Sequence, residues 1–83
     1  MVELNKLFGK RLGNLRKEKG LTQEQLSEKV GVSVEFISYL ERGIHGPSFH
    51  TLDKIAKALG VSVKELFDFD AYTGKENEDK THF

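Results

Sequence analysis

The sequence predicts an all-α protein of five helices. Three observations carry this. Apolar residues recur three and four apart through most of the chain, which is the period of a helix with one buried face. Glycines at 20, 31, 43 and 60 punctuate those stretches, and each is followed by a Thr or Ser suited to open another helix. No run alternates apolar and polar residues as a half-buried strand does.

The first helix is expected from about residue 3 to Lys19. Leu4, Leu7, Phe8, Leu12 and Leu15 form one apolar stripe along it, and Gly20 stops it. Gly9 and Gly13 stand inside this helix, where each costs roughly 1 kcal/mol relative to alanine. That cost points to close approach by another helix on their side.

The second helix opens at Thr22, with Gln25 three residues on, the pattern of a reciprocal capping box. Leu21 and Leu26 flank the cap as a hydrophobic staple. This helix runs from Gln23 to Val30, buries Leu26 and Val30, and stops at Gly31. Only Val32 separates that stop from Ser33, the N-cap of a third helix from Val34 to about Arg42. Phe36, Ile37 and Leu40 are its inward positions, so Ser33, Val34, Glu35, Ser38 and Tyr39 fall on its outer surface and N-terminal end. Two helices joined by so short a glycine-containing turn make a helix-turn-helix, whose second helix has the form that enters a DNA major groove.

Ile44-His45-Gly46-Pro47 form the next loop. Ser48 caps a fourth helix reaching Leu59, with Leu52, Ile55, Ala56 and Leu59 buried, and Gly60 ends it. Ser62 with Glu65 repeats the capping box, and Val61 with Leu66 the staple. A fifth helix is expected from Val63 to Phe69, burying Val63, Leu66 and Phe67. Residues 73–83 are polar, charged and without period, so a disordered tail is expected after a domain of residues 1–72.

Eighty-three residues allow one domain and a modest core. With no cysteine there is neither a disulfide framework nor a thiolate metal site. The N-terminal segment has no long apolar run, so neither a signal peptide nor a membrane span is expected and a cytoplasmic protein is the default. Net charge is zero, but unevenly spread: residues 1–20 carry six Lys/Arg against two Glu, and residues 61–83 three Lys against six Asp/Glu. A basic face on a neutral molecule fits this distribution, and so does one helix with a solvated outer side.

FGKRLGNLRKEKGLTQEQLSEKVGVS, then ISYLERG, then PSFHTLDKIAKALGVSVKELF stand in an order and spacing that resembles the Cro/cI-type helix-turn-helix family of small bacterial and phage repressors. The resemblance covers about residues 8–67. It implies a compact five-helix lambda-repressor-like domain, cytoplasmic and associated with the bacterial nucleoid. It also implies roles for particular residues. Ser33, Val34, Glu35, Ser38 and Tyr39 occupy the base-reading positions of the recognition helix. Gln23 occupies a position that meets a phosphate or packs beside a base-reading side chain. Arg16 and Glu41 match a partly buried ion pair between the first and third helices. Two positions depart from the family. The loop before Pro47 lacks the usual Lys or Arg, and Ser27 replaces an alanine that packs against the third helix.

On this reading Glu35 accepts from a cytosine amino group, Val34 touches a thymine methyl, and Ser33, Ser38 and Tyr39 donate or accept at base edges. Backbone N–H groups opening the second and fourth helices meet phosphates at Thr22, Gln23 and Ser48, and Arg42 adds a charge. The expected partners are double-stranded DNA and a second copy of the chain, with no cofactor, small-molecule ligand or membrane. Two recognition helices then enter successive major grooves about 34 Å apart on a near-palindromic operator. Phe69 and Tyr72 continue an apolar strip beyond the fifth helix if that helix gains a turn. They are candidates for the dimer interface; the alternative is that they fold back over the chain's own core. His45, His50 and His82 match no zinc spacing. No nucleophile is paired with a base, and Glu24 and Glu28 lie on a solvated helix face, so an enzyme is not expected. The competing reading is a protein-interaction module of the same fold, which Glu35, the uncharged loop and the zero net charge favour.

Overall fold

The structure is a computed structural model and describes residues 2–70. Tyr72 and the tail expected at 73–83 lie outside the described residues. Five helices follow in order: α1 (Val2–Glu18), α2 (Gln23–Val30), α3 (Val34–Glu41), α4 (Phe49–Leu59) and α5 (Val63–Leu66), with no strand among the described residues.

Side-chain oxygens at the N-caps set where the helices begin. Thr22 Oγ1 accepts from the Gln25 N–H at 3.0 Å, and Gln25 Oε1 accepts from the Thr22 N–H at 2.9 Å. Ser62 and Glu65 make the same reciprocal pair. Ser33 and Ser48 cap α3 and α4 by accepting from the N–H groups of Phe36 and Thr51. Gly31, at φ +88°, takes the left-handed conformation that lets the chain leave α2 and enter α3 within three residues.

Helix α3 packs on both α1 and α2, α4 packs behind α2, and α5 closes the bundle between α4 and α1. Phe8, Leu12 and Leu15 of α1 meet Leu26 and Val30, Ile37 and Leu40, the buried stripe of α4, and Leu66 in one core. The glycines of α1 mark where α3 comes closest. A Cβ on Gly9 would stand 2.3 Å from the Leu40 carbonyl oxygen, and one on Gly13 would stand 3.3 Å from Glu41 Oε1. Ser27 is buried, and its hydroxyl donates to the Glu24 carbonyl at 2.7 Å within its own helix.

Two expectations are corrected. Leu4 and Leu7 are each 42% exposed, so the buried stripe of α1 begins at Phe8. The element packed beside that end, α5, is one turn long and does not cover them. Helix α5 also ends at Leu66 and not at Phe69, and Val63 and Phe67 stand exposed. The physical reason is a competing donor. A longer helix would direct the Phe69 N–H to the Glu65 carbonyl. That oxygen instead accepts from Arg11 Nε at 2.8 Å and from the Asp68 N–H at 3.2 Å. The chain turns there. The Phe67 ring lies 5.4 Å from Phe8, and Phe69 lies 5.9 Å from Phe67, half-buried against the core. The one-turn extension that would align Phe69 with Tyr72 is therefore absent, and Phe69 packs on its own chain.

Candidate nucleic-acid interface

Helix α3 is held by its inner side. Ile37 and Leu40 are fully buried, and Phe36 packs half-buried at the edge of the core. That anchoring turns Val34, Glu35 and Tyr39 to solvent, with Ser38 half-buried between them. Five residues expected to read bases thus share one side and the N-terminal end of one short helix.

They are not equally available. Ser33 Oγ is engaged as the N-cap acceptor, which leaves its O–H to donate. Ser38 Oγ accepts from Arg42 Nε at 3.2 Å. The Arg42 guanidinium stands 5.3 Å over the Tyr39 ring, within cation–π range, and His45 meets the same ring edge-on at 5.3 Å. Ser38, Tyr39, Arg42 and His45 therefore form one surface cluster at the end of α3. The side chains of Val34 and Glu35 enter no hydrogen bond or ion pair among the described residues. A shallow open depression lies beside them, lined by Ser33, Glu35, Phe36, Tyr39, His45 and Gly46.

Of the expected phosphate contacts, Arg42 stands at the end of α3, and Thr22, Gln23 and Ser48 fall at two helix starts. Thr22 and Ser48 spend their side chains on capping, and Ser48 Oγ also donates to Thr51 Oγ1 at 3.1 Å. The groups left to face an anion are the backbone N–H groups of the residues that follow, Gln23 and Glu24 in α2, and Phe49 and His50 in α4. Gln23 is tied into the interior as well. Its Nε2 donates to Glu41 Oε1 at 3.0 Å, leaving one N–H and the amide oxygen for an outside partner.

That glutamate anchors the assembly. Arg16 meets Glu41 through two hydrogen bonds, Nε to Oε2 at 2.6 Å and Nη2 to Oε1 at 3.0 Å, and its Nη1 donates to the Leu21 carbonyl at 2.8 Å. The two side chains are 10% and 11% exposed. One ion pair thus joins α1, the α1–α2 turn, the start of α2 and the end of α3, which fixes the angle at which α3 is presented.

The sequence places His45 in a loop, offers Lys6 only as part of a solvated face of the first helix and gives no role to Asn5; the fold brings Asn5 and Lys6 against the α3–α4 loop. The i, i+3 spacing of Tyr39 and Arg42 was a usable signal for their stacking. Nothing local in the sequence connects residues 5 and 6 with residues 43–46. Among the described residues, no three His, Asp or Glu side chains come together as a metal ion needs, and no helix is long and apolar enough to cross a membrane.

The helix-turn-helix family model matches residues 12–66. The uncharacterized HTH-type transcriptional regulator y4dJ of Sinorhizobium fredii is 46% identical over 65 residues, covering 78% of this chain and 84% of that one. The immunity repressor protein of Bacillus phage phi105 is 35% identical over 79 residues, covering 86% of this chain and 55% of that protein. Among solved structures, the restriction-modification controller protein C.AhdI from Aeromonas hydrophila superposes with a TM-score of 0.74 at 38% identity, over 76% of this chain and 96% of that one.

Proposed function

Because the chain belongs to the Cro/cI-type helix-turn-helix family of DNA-binding transcriptional regulators, we propose that it is a sequence-specific repressor that binds a near-palindromic operator as a homodimer. The observation that carries this is the mounting of α3. Its inner side is locked by Ile37, Leu40 and the Arg16–Glu41 pair, while Val34, Glu35, Ser38 and Tyr39 stand together on the outer side. A rigid helix presenting a few polar and methyl-bearing ends fits major-groove readout. On this reading the protein acts by occupying DNA in the cytoplasm and catalyses no reaction.

Dimerisation is proposed through the flank where α1 meets α5. Leu4 and Leu7 share an α1 face with Phe8, which meets the Phe67 ring just after α5, and with Arg11, which donates to the Glu65 carbonyl. Leu4 and Leu7 on α1, Val63 in α5 and Phe67 just after it are exposed, and are proposed as the apolar surface that a second copy covers.

A second reading, a module that binds a partner protein and no longer DNA, draws on the Glu35 carboxylate of the recognition face, which has no partner among the described residues, on the loop without Lys or Arg and on the zero net charge. Binding to random duplex DNA at low and moderate salt separates the two. A DNA binder weakens steeply as salt rises, because phosphate contacts release counterions. Flat or absent binding favours the protein partner. Selection of bound fragments from random DNA, followed by sequencing, then yields the operator.

A further inference from the structure

We infer that Lys6 of α1 supplies the phosphate-contacting charge that the α3–α4 loop lacks, which makes the start of α1 part of the DNA-contacting surface. The inference rests on the DNA-binding reading above and adds a residue to it.

The loop Ile44-His45-Gly46-Pro47 contains no Lys or Arg, although it joins the end of the recognition helix to the start of α4. Its backbone is pressed against α1 at two glycines. Gly43 sits at φ +76°, and a Cβ there would stand 2.8 Å from Lys6 Cγ and 2.9 Å from Lys6 Cα. At Gly46 a Cβ would stand 2.8 Å from Asn5 Oδ1. A side chain at Gly43 would meet the α1 backbone at Lys6, while one at Gly46 would displace only the end of the Asn5 side chain, so it is the bare Gly43 that permits the close approach of Lys6.

Lys6 is exposed, and it enters no ion pair among the described residues. Its stem lies over the loop at Cγ, so its ammonium group is carried within a stem's length of the segment between Arg42 and Ser48. A lysine ammonium meets a phosphate as a mobile point charge, without the fixed geometry a guanidinium needs. It can therefore serve a backbone from a neighbouring helix. Around α1, Lys6 is turned roughly 100° from Leu7 and roughly 160° from Leu4, so this role uses neither leucine of the proposed dimer surface.

The test compares wild type, Lys6→Gln, Lys6→Arg and Lys57→Gln on a random-sequence duplex and on the selected operator, across a range of salt. Lys57 is the control, in the last turn of α4 and already paired with Asp53 at 3.0 Å. Lys6→Gln is expected to weaken both duplexes by the same factor, of order five- to tenfold at 0.1 M salt, and to lower the slope of log K against log salt by about 0.9. Lys6→Arg and Lys57→Gln are expected to keep the wild-type slope, and Lys6→Gln to melt at the wild-type temperature. A wild-type slope in Lys6→Gln, or an equal drop in Lys57→Gln, overturns the inference while the DNA-binding reading stands. A wild type whose binding ignores salt removes both.

Discussion

Gly9 shows how much one hydrogen atom in place of a methyl group decides. Helix propensity alone says that Gly9→Ala stabilises α1 by roughly 1 kcal/mol. The added Cβ would stand 2.3 Å from one carbonyl oxygen of α3 and 2.7 Å from the next, and backbone cannot step aside as a side chain can. Gly9→Ala is therefore expected to lose about 1–3 kcal/mol net, read as a lower urea midpoint. Gly13→Ala meets only the Glu41 carboxylate at 3.3 Å and should change stability much less. Equal effects from the two variants would show that the approach of α3 is looser than the structure has it. Arg16 provides the second case at this scale. Arg16→Met strands the Glu41 carboxylate in a nearly dry site with only Gln23 to bond it. The expected loss is roughly 3–5 kcal/mol in urea unfolding. Lys57→Met, which breaks the exposed pair with Asp53, should lose no more than about 1 kcal/mol.

Among the helices, α3 is the one proposed to read bases, and its residues divide by what they already touch. The Glu35 side chain has no partner among the described residues, and the Tyr39 ring is covered by Arg42 and met edge-on by His45. Changing either to alanine is expected to shift base preference at one or two operator positions, each worth about 1–3 kcal/mol. Gln23→Ala is expected to weaken binding evenly across sequences, because the contact proposed for it at the start of α2 is to a phosphate, which carries no base identity. Selection and sequencing with each variant reads the difference, and unchanged preference in both α3 variants would mean that another face meets the bases. Helix α5 was the element least legible in the sequence. Its capping box and Leu66 were plain, but its end was not. Arg11 of α1, fifty-four residues earlier, takes the carbonyl that another turn would need. Such a donor has no local signature.

At the scale of the whole molecule the open matter is association. The exposed apolar residues on the α1–α5 flank are those a second copy would cover, and Phe69, being half-buried on its own core, is not among them. Wild type at tens of micromolar is expected to sediment at twice the chain mass, and Leu7→Glu with Phe67→Ala as a monomer. Phe69→Ala is expected to stay dimeric and lose about 1 kcal/mol of stability, in keeping with partial burial. A monomeric wild type, or a dimer untouched by the double change, would place the interface elsewhere. Monomeric variants should also bind the operator more weakly, since a dimer joins two half-sites about 34 Å apart.

The sequence by itself determined the number of helices, their starts and most of the core. These depend on signals within a few residues: a cap and its partner three positions on, a glycine at a helix end, apolar residues at helical spacing. It also carried the family, because the spacing of ISYLERG and PSFHTLDKIAKALGVSVKELF survives without any contact being known. Only the tertiary structure decided that Leu4, Leu7, Val63 and Phe67 stay exposed, that α5 stops at Leu66, that Gln23 bonds Glu41, and that Lys6 lies on the loop after α3. Each of these depends on which distant group arrives to cover a side chain or occupy a carbonyl. Periodicity reports that a residue can be buried; the partner that buries it comes from elsewhere in the chain.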